Sequence, residues 1–234
     1  MSWAYAYAYS TGDGHEQCDD VCVCETLGDY IIAAVSDGAG SAQNAHAGAS
    51  IACQTFIELA VPIFSGTIEP SCLLEAIHEK VPQGENDAHA CTLVAVVAGP
   101  KGALFLQVGD GASVVMTAKS KPEYEIPIWP EETEFLNHTF FVTALDAEEH
   151  LKLRRFDHPI SEFALFTDGL QHLVLDLKTQ APHQPFFQSV FKRLSDEKEH
   201  DRKASWWLER TLGSDPVVKR TDDDTSIVIA RRLG

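Results

Sequence analysis

The sequence has few basic residues: 18 Lys and Arg stand against 35 Asp and Glu, which gives a formal net charge of −17. This acidity argues against a protein that holds nucleic acid or anionic lipid through bulk charge, because Lys and Arg drive such binding. No continuous apolar run approaches about 18 residues, so we expect no membrane-spanning segment. The start, MSWAYAYAYS, lacks a basic n-region and a continuous apolar core, so we expect no secretory signal and a cytoplasmic protein.

Cysteine is also sparse, with six residues that all fall in the first half of the 234-residue chain. They do not form the pattern of a small secreted domain held together by disulfides. Cys18, Cys22 and Cys24 raise the question of a zinc site, but their spacing is poor and no matching Cys or His pair follows. Cys22 and Cys24 alternate with Val21 and Val23, which favours packing within a strand.

Hydrophobic periodicity predicts the order of strands and helices. The predicted strands cover 3–9, 21–26, 30–35, 91–98, 103–108, 112–116, 139–144, 151–156, 163–166 and 226–230. The predicted helices cover 41–60, 70–81, 186–194 and 202–212. This order favours two antiparallel sheets flanked by helices over an alternating parallel α/β fold. We therefore predict an α+β fold, a four-layer α-β-β-α sandwich with two central antiparallel sheets, in a single domain spanning 1–234.

Four Asp-Gly pairs occur in the sequence, beginning at Asp13, Asp37, Asp110 and Asp168. Asp-Gly is a preferred hairpin turn, and this explanation suits Asp110 because predicted strands flank it on both sides. Asp37 and Asp168 each end an apolar strand and are followed by a helical pattern. A carboxylate at such a rigid strand end is well placed to bind a ligand, although turn chemistry remains the alternative for either pair alone.

Further acids stand at strand edges, namely Asp19 and Asp20 before an early strand and Asp222, Asp223 and Asp224 before the last. A run of three Asp is usually a solvated loop. If these loops converge, however, two like charges about 4 Å apart repel by about 1 kcal/mol in water and about 4 kcal/mol at an effective dielectric near 20. Such a cluster needs a cation, and oxygen-only ligands select Mg²⁺ or Mn²⁺ rather than Zn²⁺.

Five motifs occur in register along the chain: an early acid pair, VSDGAGS, VGDGAS, FTDGL and DDDTSIVIA. Together they resemble the signature of the metal-dependent protein Ser/Thr phosphatases of type 2C. More narrowly, the chain resembles a compact bacterial branch that starts with MSW and carries a Gly-x-x-His…Gln-Asp element near residue 15. The resemblance covers essentially the whole chain, including a flap, WPEETEFLNHTFF, which overlaps a segment that we expect to be mobile (123–137).

The resemblance implies a phosphatase that hydrolyses phosphoserine and phosphothreonine in proteins by a water bridging two Mn²⁺ or Mg²⁺ ions. Asp37 would bridge both ions, and the carbonyl of Gly38 would bind one of them. Asp168 and Asp222 would complete the other ion's shell, where Thr225 fixes the register that selects Asp222 within the closing motif. A phosphorylated protein substrate, a cognate Ser/Thr kinase and a role in bacterial signalling follow from the same resemblance.

The resemblance also assigns the remaining acids. Asp20 matches the acid of the family's early Asn-Glu-Asp element, which acts through metal-bound water, and Asp19 occupies an adjacent position that could ligate directly. Asp110 corresponds to the Gly-Asp-Ser position, which binds a third, weaker ion in some members.

Two positions depart from the family pattern. Many members carry Arg where this chain has His15, and many eukaryotic members carry His where it has Ala39. A protonated His15 could partly replace the phosphate-binding Arg, which makes it a catalytic candidate beside Asp37; a structural role next to the metal loop is the alternative. The compact branch shares Ala39, so the presence of Ala at this position does not imply a loss of activity.

The alternatives to a protein phosphatase are a degenerate phosphatase-fold binding or regulatory module, another metal-dependent hydrolase, and an acidic domain with Asp-rich turns.

Overall fold

The computed structural model describes residues 2–117, 123–130, 139–194 and 199–233. Its strands are β1 (Ser2–Ser10), β2 (Val21–Leu27), β3 (Tyr30–Ser36), β4 (Leu93–Gly99), β5 (Gly102–Val108), β6 (Ala112–Thr117), β7 (Tyr124–Glu125), β8 (Lys152–Phe156), β9 (Ile160–Phe166), β10 (Leu175–Asp176), β11 (Ala181–Pro182), β12 (Glu199–His200) and β13 (Thr225–Leu233). Its α-helices are α1 (Ala45–Ser65), α2 (Cys72–Lys80), α3 (Ala147–His150), α4 (Gln171–Val174), α5 (Gln184–Phe191), α6 (Arg202–Leu212) and α7 (Asp215–Val218). Two 3₁₀ turns cover Asp87–His89 and Asp168–Leu170.

Two large sheets organise the chain. One has five strands in the order β2-β3-β4-β5-β8, and the other has six in the order β12-β1-β13-β9-β6-β7. Neighbouring strands in both sheets are antiparallel, apart from the short parallel pair of β1 and β12. The first and last long strands pair along their whole length, from Ser2 opposite Leu233 to Ser10 opposite Thr225.

Alternating side chains on the strands build three apolar layers. In β3, Ile31 and Val35 face the other sheet, while Ile32 faces α1. The layer between the sheets includes Trp3 and Phe163 from the six-stranded sheet. Because successive side chains of a strand point to opposite faces, one buried strand can contribute to two layers of the core.

Helices cover the outer face of each sheet. Phe56 of α1 and Leu73 of α2 pack on the five-stranded sheet. Phe187 of α5 and Leu208 of α6 pack on the six-stranded sheet. The predicted α+β four-layer α-β-β-α sandwich with two central antiparallel sheets is therefore confirmed.

The predicted strand at 139–144 is wrong. This segment forms irregular chain and turns before α3, with Val142 donating its backbone N–H to Cys91 O at 2.9 Å. The ring of Phe140 stacks on His150. The apolar residues of this segment thus fill a gap beside the start of β4, where they are buried without pairing along a strand. Of the predicted mobile segment at 123–137, residues 131–137 lie outside the described part of the chain.

Helix α1 is long and apolar enough to cross a membrane by length and composition alone, with a mean hydropathy of 1.5 over its 18-residue window. Its pattern of small and apolar residues also suits a core helix, and 44% of that window is buried within the protein. Ala49, Ala52 and Phe56 are fully buried against the five-stranded sheet. Length and composition are therefore weak evidence for a membrane segment, and the expected location in the cytoplasm stays a prediction.

Candidate metal centre

Three acids from both sheets meet at one end of the sandwich. Asp37 follows β3, Asp110 lies in the turn between β5 and β6, and Asp168 follows β9 and opens a 3₁₀ turn. One carboxylate oxygen from each lies within 4.8 Å of those from the other two. The convergence predicted for Asp37 and Asp168 is thus present, and Asp110 joins them in the same cluster. The hairpin explanation for Asp110 is wrong, because β5 and β6 belong to different sheets.

The backbone of Asp37 is fixed by reciprocal hydrogen bonds with Thr92. The N–H of Asp37 donates to Thr92 Oγ1 at 3.0 Å, and the N–H of Thr92 donates to Asp37 O at 2.8 Å. The next residue, Gly38, lies so close to other segments that a Cβ there would come within 2.7 Å of the Ala45 carbonyl carbon and 2.8 Å of Asp19 O. A larger residue at Gly38 would therefore displace the loop that carries Asp37.

The turn that carries Asp110 is fixed by hydrogen bonds from the buried side-chain amide of Gln107. Gln107 Nε2 donates to Gly109 O at 3.2 Å and to Gly111 O at 2.9 Å. Gly109 has a φ of 97°, a left-handed conformation that favours glycine. Gln171 donates to Asp110 O. The Asp110 Oδ1 atom is buried and has no hydrogen-bond partner in the structure, so one oxygen of this carboxylate is left for a ligand.

Asp20 is a fourth acid beside the cluster, and only 2% of its surface is exposed. Thr167 donates its hydroxyl hydrogen to Asp20 Oδ2 at 2.6 Å. The other oxygen, Oδ1, is buried and has no hydrogen-bond partner in the structure. A buried carboxylate oxygen without a donor is unfavourable, because it has lost water and gained nothing in return.

Burial and mutual repulsion raise the pKa values of these acids. Burial is the main cause in each case, and it raises the pKa of Asp20 and of Asp168 to about 8 and that of Asp37 well above its usual range. The charges of neighbouring carboxylates raise the pKa values further; Asp37, for example, raises that of Asp168. In the part of the chain that the structure describes, no Lys or Arg forms an ion pair with any of these acids. The cluster thus consists of carboxyl groups whose ionisation is unfavourable in the absence of a cation.

The three consecutive acids at 222–224 differ in their exposure and in their effect on the cluster. Asp222 is exposed, and neither it nor Asp223 belongs to the group of carboxylates that lie within 4.8 Å of one another. Asp223 is the acid whose charge raises the pKa values of Asp37, Asp110 and Asp168, and its own pKa is raised by burial. The predicted ligation by Asp222 therefore stays a prediction, and Asp223 is a second candidate for the same role.

Asp224 faces the loop between β1 and β2 and not the cluster. Its Oδ1 accepts a hydrogen bond from the N–H of Gly12 at 2.7 Å and lies 3.0 Å from His15 Nδ1. Its Oδ2 accepts from the N–H of Asp19 at 2.6 Å. The preceding residue, Asp223, accepts the backbone N–H of Asp224 through its own Oδ1 at 2.9 Å.

His15 and Asp19 lie at the margin of the site. The His15 side chain is 40% exposed, and its charge lowers the pKa of Asp223. The side chain of Asp19 accepts a hydrogen bond from Gln17 Nε2 at 3.0 Å and does not belong to the Asp37–Asp110–Asp168 cluster. Their predicted roles, phosphate binding for His15 and direct ligation for Asp19, stay predictions.

The sequence did not reveal the residues that hold the acids in place. Thr167 and Gln107 are both 1% exposed polar residues within or at the end of apolar strands. Buried polar side chains are usually paired, so their position inside strands that are otherwise apolar was a usable signal. Which acid each one supports depends on contacts between distant segments, which a single sequence does not contain.

A sandwich of this architecture with an acidic cluster at one end fits the class of metal-dependent phosphoprotein phosphatases. The model of the protein phosphatase 2C family matches residues 10–213, and the chain belongs to that family. The predictions of family and of protein serine/threonine phosphatase activity are thereby confirmed. The match does not test the predicted single domain over 1–234.

Known proteins similar to this chain agree with that family. Serine/threonine-protein phosphatase 3 of Escherichia coli (strain K12) is 29% identical over 255 aligned positions, which cover 98% of each chain. A solved structure of PppA, a regulatory component of T6SS in Pseudomonas aeruginosa, has a TM-score of 0.66 at 15% identity and covers 99% of this chain and 98% of its own. The structure of RsbX in complex with magnesium has a TM-score of 0.62 at 13% identity, with coverages of 97% and 94%. The solved structures support the fold.

Proposed function

We propose that the acidic cluster binds a pair of divalent cations, Mn²⁺ or Mg²⁺, and that the protein requires them to hydrolyse phosphoserine and phosphothreonine in phosphoproteins. The observation that carries the proposal is the approach of the Asp37, Asp110 and Asp168 carboxylates to within 4.8 Å of one another. Such an approach without a compensating cation is costly in a partly buried site. In a member of this phosphatase family, divalent cations supply that compensation.

The chemistry of the donors fits a hard cation. Asp20, Asp37, Asp110, Asp168 and Asp223 all offer carboxylate oxygens, the ligand type that Mg²⁺ and Mn²⁺ prefer. Oxygens on Asp20 and Asp110 are buried and have no hydrogen-bond partner in the structure. We infer that Asp37, Asp110 and Asp168 hold the ions directly, with Asp223 in place of Asp222 as a further ligand. Asp20, Asp19 and the Gly38 carbonyl remain candidates, as does a third, weaker ion at Asp110.

When bound, two divalent ions lower the pKa of a water and neutralise phosphoryl oxygens. The acidic side chains of this protein would hold the positive charge of the ions at a fixed place at one end of the sandwich. Without cations they would repel the substrate phosphate, so we expect activity to depend strictly on metal. We propose that His15 contributes to phosphate binding in its protonated form, oriented by its contact with Asp224.

The proposal extends to the substrate of the protein and to its role in the cell. We propose a phosphorylated protein as substrate, a Ser/Thr kinase that phosphorylates the same protein, and a role in signalling in the cytoplasm. A reaction that removes phosphate from Ser or Thr requires a kinase reaction that adds it. The name of the Escherichia coli relative, a serine/threonine-protein phosphatase, supports this substrate class.

The test compares Asp37→Asn with the wild type on a phosphothreonine peptide in the presence of Mn²⁺. We expect the substitution to lower kcat/KM by more than about 100-fold, because it removes a charge that holds the ions. Asp157→Asn is the matched control, since Asp157 is an exposed acid in the turn between β8 and β9. Full activity of Asp37→Asn, or of the wild type in excess chelator, would overturn the proposal. Binding of Mn²⁺ without turnover of any phosphate ester would identify a regulatory module instead.

A further inference from the structure

A basic and aromatic surface lies on α6, outside the metal centre. Trp206 is 58% exposed, and the Arg210 guanidinium carbon lies 4.8 Å from the centre of its ring. Arg193 stacks in the same way on Trp207, also at 4.8 Å. We call this set of residues the α6 surface: Tyr9, Arg193, Arg202, Lys203, Trp206 and Arg210.

Three adjoining grooves meet at Trp206, with volumes of about 440, 350 and 450 Å³. The first also contacts Arg202 and Lys203. The second lies against the β1 aromatic Tyr7 and its stacking partner His200, whose ring centres are 4.7 Å apart. Together the three grooves form a long depression with an aromatic floor and cationic walls, a shape suited to an extended peptide.

The charge of this depression is opposite to that of the protein. The chain has a net charge of −17, yet the described residues that line the three grooves include Arg193, Arg202, Lys203 and Arg210 against the single acid Glu209. None of these four cations forms an ion pair with a carboxylate among the residues that the structure describes. An acidic segment would therefore be attracted here and repelled by the rest of the protein.

The α6 surface continues toward the metal centre. The third groove ends at Ser10, Thr11 and Gly213, and Ser10 and Thr11 also line a small cleft that contains Asp223. At 1.5 Å per residue, the helical path from Lys203 to Leu212 spans about 14 Å. An extended peptide covers that length with about four residues. The α6 surface is thus long enough for a short acidic segment, and it adjoins the cleft that contains Asp223.

We propose that the α6 surface binds an acidic segment of the phosphoprotein substrate, located about four to seven residues from the phosphorylated residue. This inference rests on the proposed function, and it names the kind of sequence that the protein prefers. Acids immediately beside the phosphorylated residue should give no advantage, because Asp13 and Asp223 line the small cleft that adjoins the α6 surface at Ser10 and Thr11.

The test uses phosphothreonine peptides that carry three Glu or three Gln residues at that distance, on the N-terminal side in one pair and on the C-terminal side in another. In Mn²⁺ we expect the wild type to have a kcat/KM at least about fivefold higher for the Glu peptide of one pair, mainly through KM. Lys203→Ala/Arg210→Ala should remove this preference while leaving turnover of p-nitrophenyl phosphate unchanged. Raising the salt concentration should weaken the preference, because the paired charges are exposed.

Lys101→Ala/Lys178→Ala is the matched control, since it removes two exposed positive charges that line none of the three grooves. It should retain the preference for Glu. Equal kcat/KM values for the Glu and Gln peptides of both pairs, or a preference that survives in Lys203→Ala/Arg210→Ala, would overturn the inference. Failure of the wild type to hydrolyse any phosphate ester would overturn the proposed function instead. In that case, binding of a fluorescent, unphosphorylated Glu peptide tests the α6 surface. Equal binding of the corresponding Gln peptide would then refute the inference.

Discussion

Asp224 and His15 are 209 positions apart in the sequence, yet Asp224 Oδ1 lies 3.0 Å from His15 Nδ1. The same carboxylate accepts the backbone N–H groups of Gly12 and Asp19, so it ties the loop between β1 and β2 to the start of β13. That loop leads into Asp20, and the residue before Asp224 is Asp223. A buried acid outside the metal-facing cluster thus sets the relative position of two acids that belong to the site.

We therefore predict that Asp224→Asn destabilises the metal-free protein. Asn keeps one oxygen but replaces the other with an amide that cannot accept a hydrogen bond, so a backbone N–H is left without a partner. An unsatisfied buried donor costs about 1–3 kcal/mol, and because these N–H groups are part-buried we expect a loss of about 1 kcal/mol, measured by urea unfolding in excess chelator. Asp222→Asn is the control, because Asp222 is exposed, and it should change the unfolding free energy by less than about 0.5 kcal/mol. Equal stability of the two variants would show that Asp224 does not hold this loop.

Much of the fold follows from local patterns in the sequence. Strands β1, β3 and β13 are predicted within two residues at most ends, because buried strands are continuous apolar or alternating runs between turn residues. The segment 139–144 shows the limit of that reasoning. It contains apolar and β-branched residues like a strand, but Val142 is buried through a contact with the end of another segment. A single sequence records that a residue is apolar and does not record what covers it.

The sequence also predicts part of the candidate site. Asp37, Asp110 and Asp168 each stand in an Asp-Gly pair at a strand end, but the local pattern alone also fits a turn, and the order of the motifs along the chain is needed to mark all three as candidates. The choice between Asp222 and Asp223 depends instead on the path of a short turn. That turn is set by the contacts of Asp224 with a loop near the start of the chain. The sequence motif locates the turn at 222–224. The direction of each side chain in that turn depends on contacts with distant segments of the chain.

We predict that Asp223→Asn weakens Mn²⁺ binding by about 10-fold or more, whereas Asp222→Asn changes it by less than about twofold. The Asp223 charge acts on Asp37, Asp110 and Asp168, while Asp222 lies in the solvent. Calorimetric titration of each metal-free variant with Mn²⁺ measures this difference directly. The reverse ranking, with Asp222→Asn the weaker binder, would support the assignment based on Thr225 and refute the proposed role of Asp223.

We predict that the metal-free protein loses stability as the pH rises from about 5 to about 8. Burial raises the pKa of Asp20 and of Asp168 to about 8 in the folded state, whereas an unfolded chain releases these protons near pH 4. Between those values the folded state binds more protons than the unfolded state, so the free energy of unfolding falls with rising pH. The fall is at most about 1.4 kcal/mol per pH unit for each such group. Urea unfolding in chelator at a series of pH values measures it.

Saturating Mn²⁺ should remove or reverse that pH dependence, because the ion binds the deprotonated carboxylates of the folded state. Asp37→Asn should reduce the slope in chelator, since it removes one of the charges that raise the pKa of Asp168. Asp157→Asn serves as the control and should keep the slope of the wild type. A metal-free stability that is constant or rises over this pH range would show that the acids are not held in an unfavourable charged cluster.

The last prediction concerns Thr167, whose hydroxyl group donates to Asp20 Oδ2 at 2.6 Å and accepts the N–H of Ser226 at 3.0 Å. Thr167→Val keeps the shape of the side chain and removes both hydrogen bonds, while Thr167→Ser keeps them and removes only a methyl group. We expect Thr167→Val to lower the unfolding free energy by about 1–3 kcal/mol, because a buried carboxylate and a buried N–H each lose a partner.

Thr167→Val should also weaken Mn²⁺ binding by about 10-fold or more, since Asp20 is then held less firmly beside the cluster. Thr167→Ser should approach the wild type in metal affinity even if the lost methyl group costs some stability. This pairing separates the two effects of the substitution: packing depends on the methyl group, and the position of Asp20 depends on the hydroxyl. If Thr167→Ser and Thr167→Val lose metal affinity equally, the hydroxyl does not orient Asp20, and packing alone accounts for the conformation of this strand end.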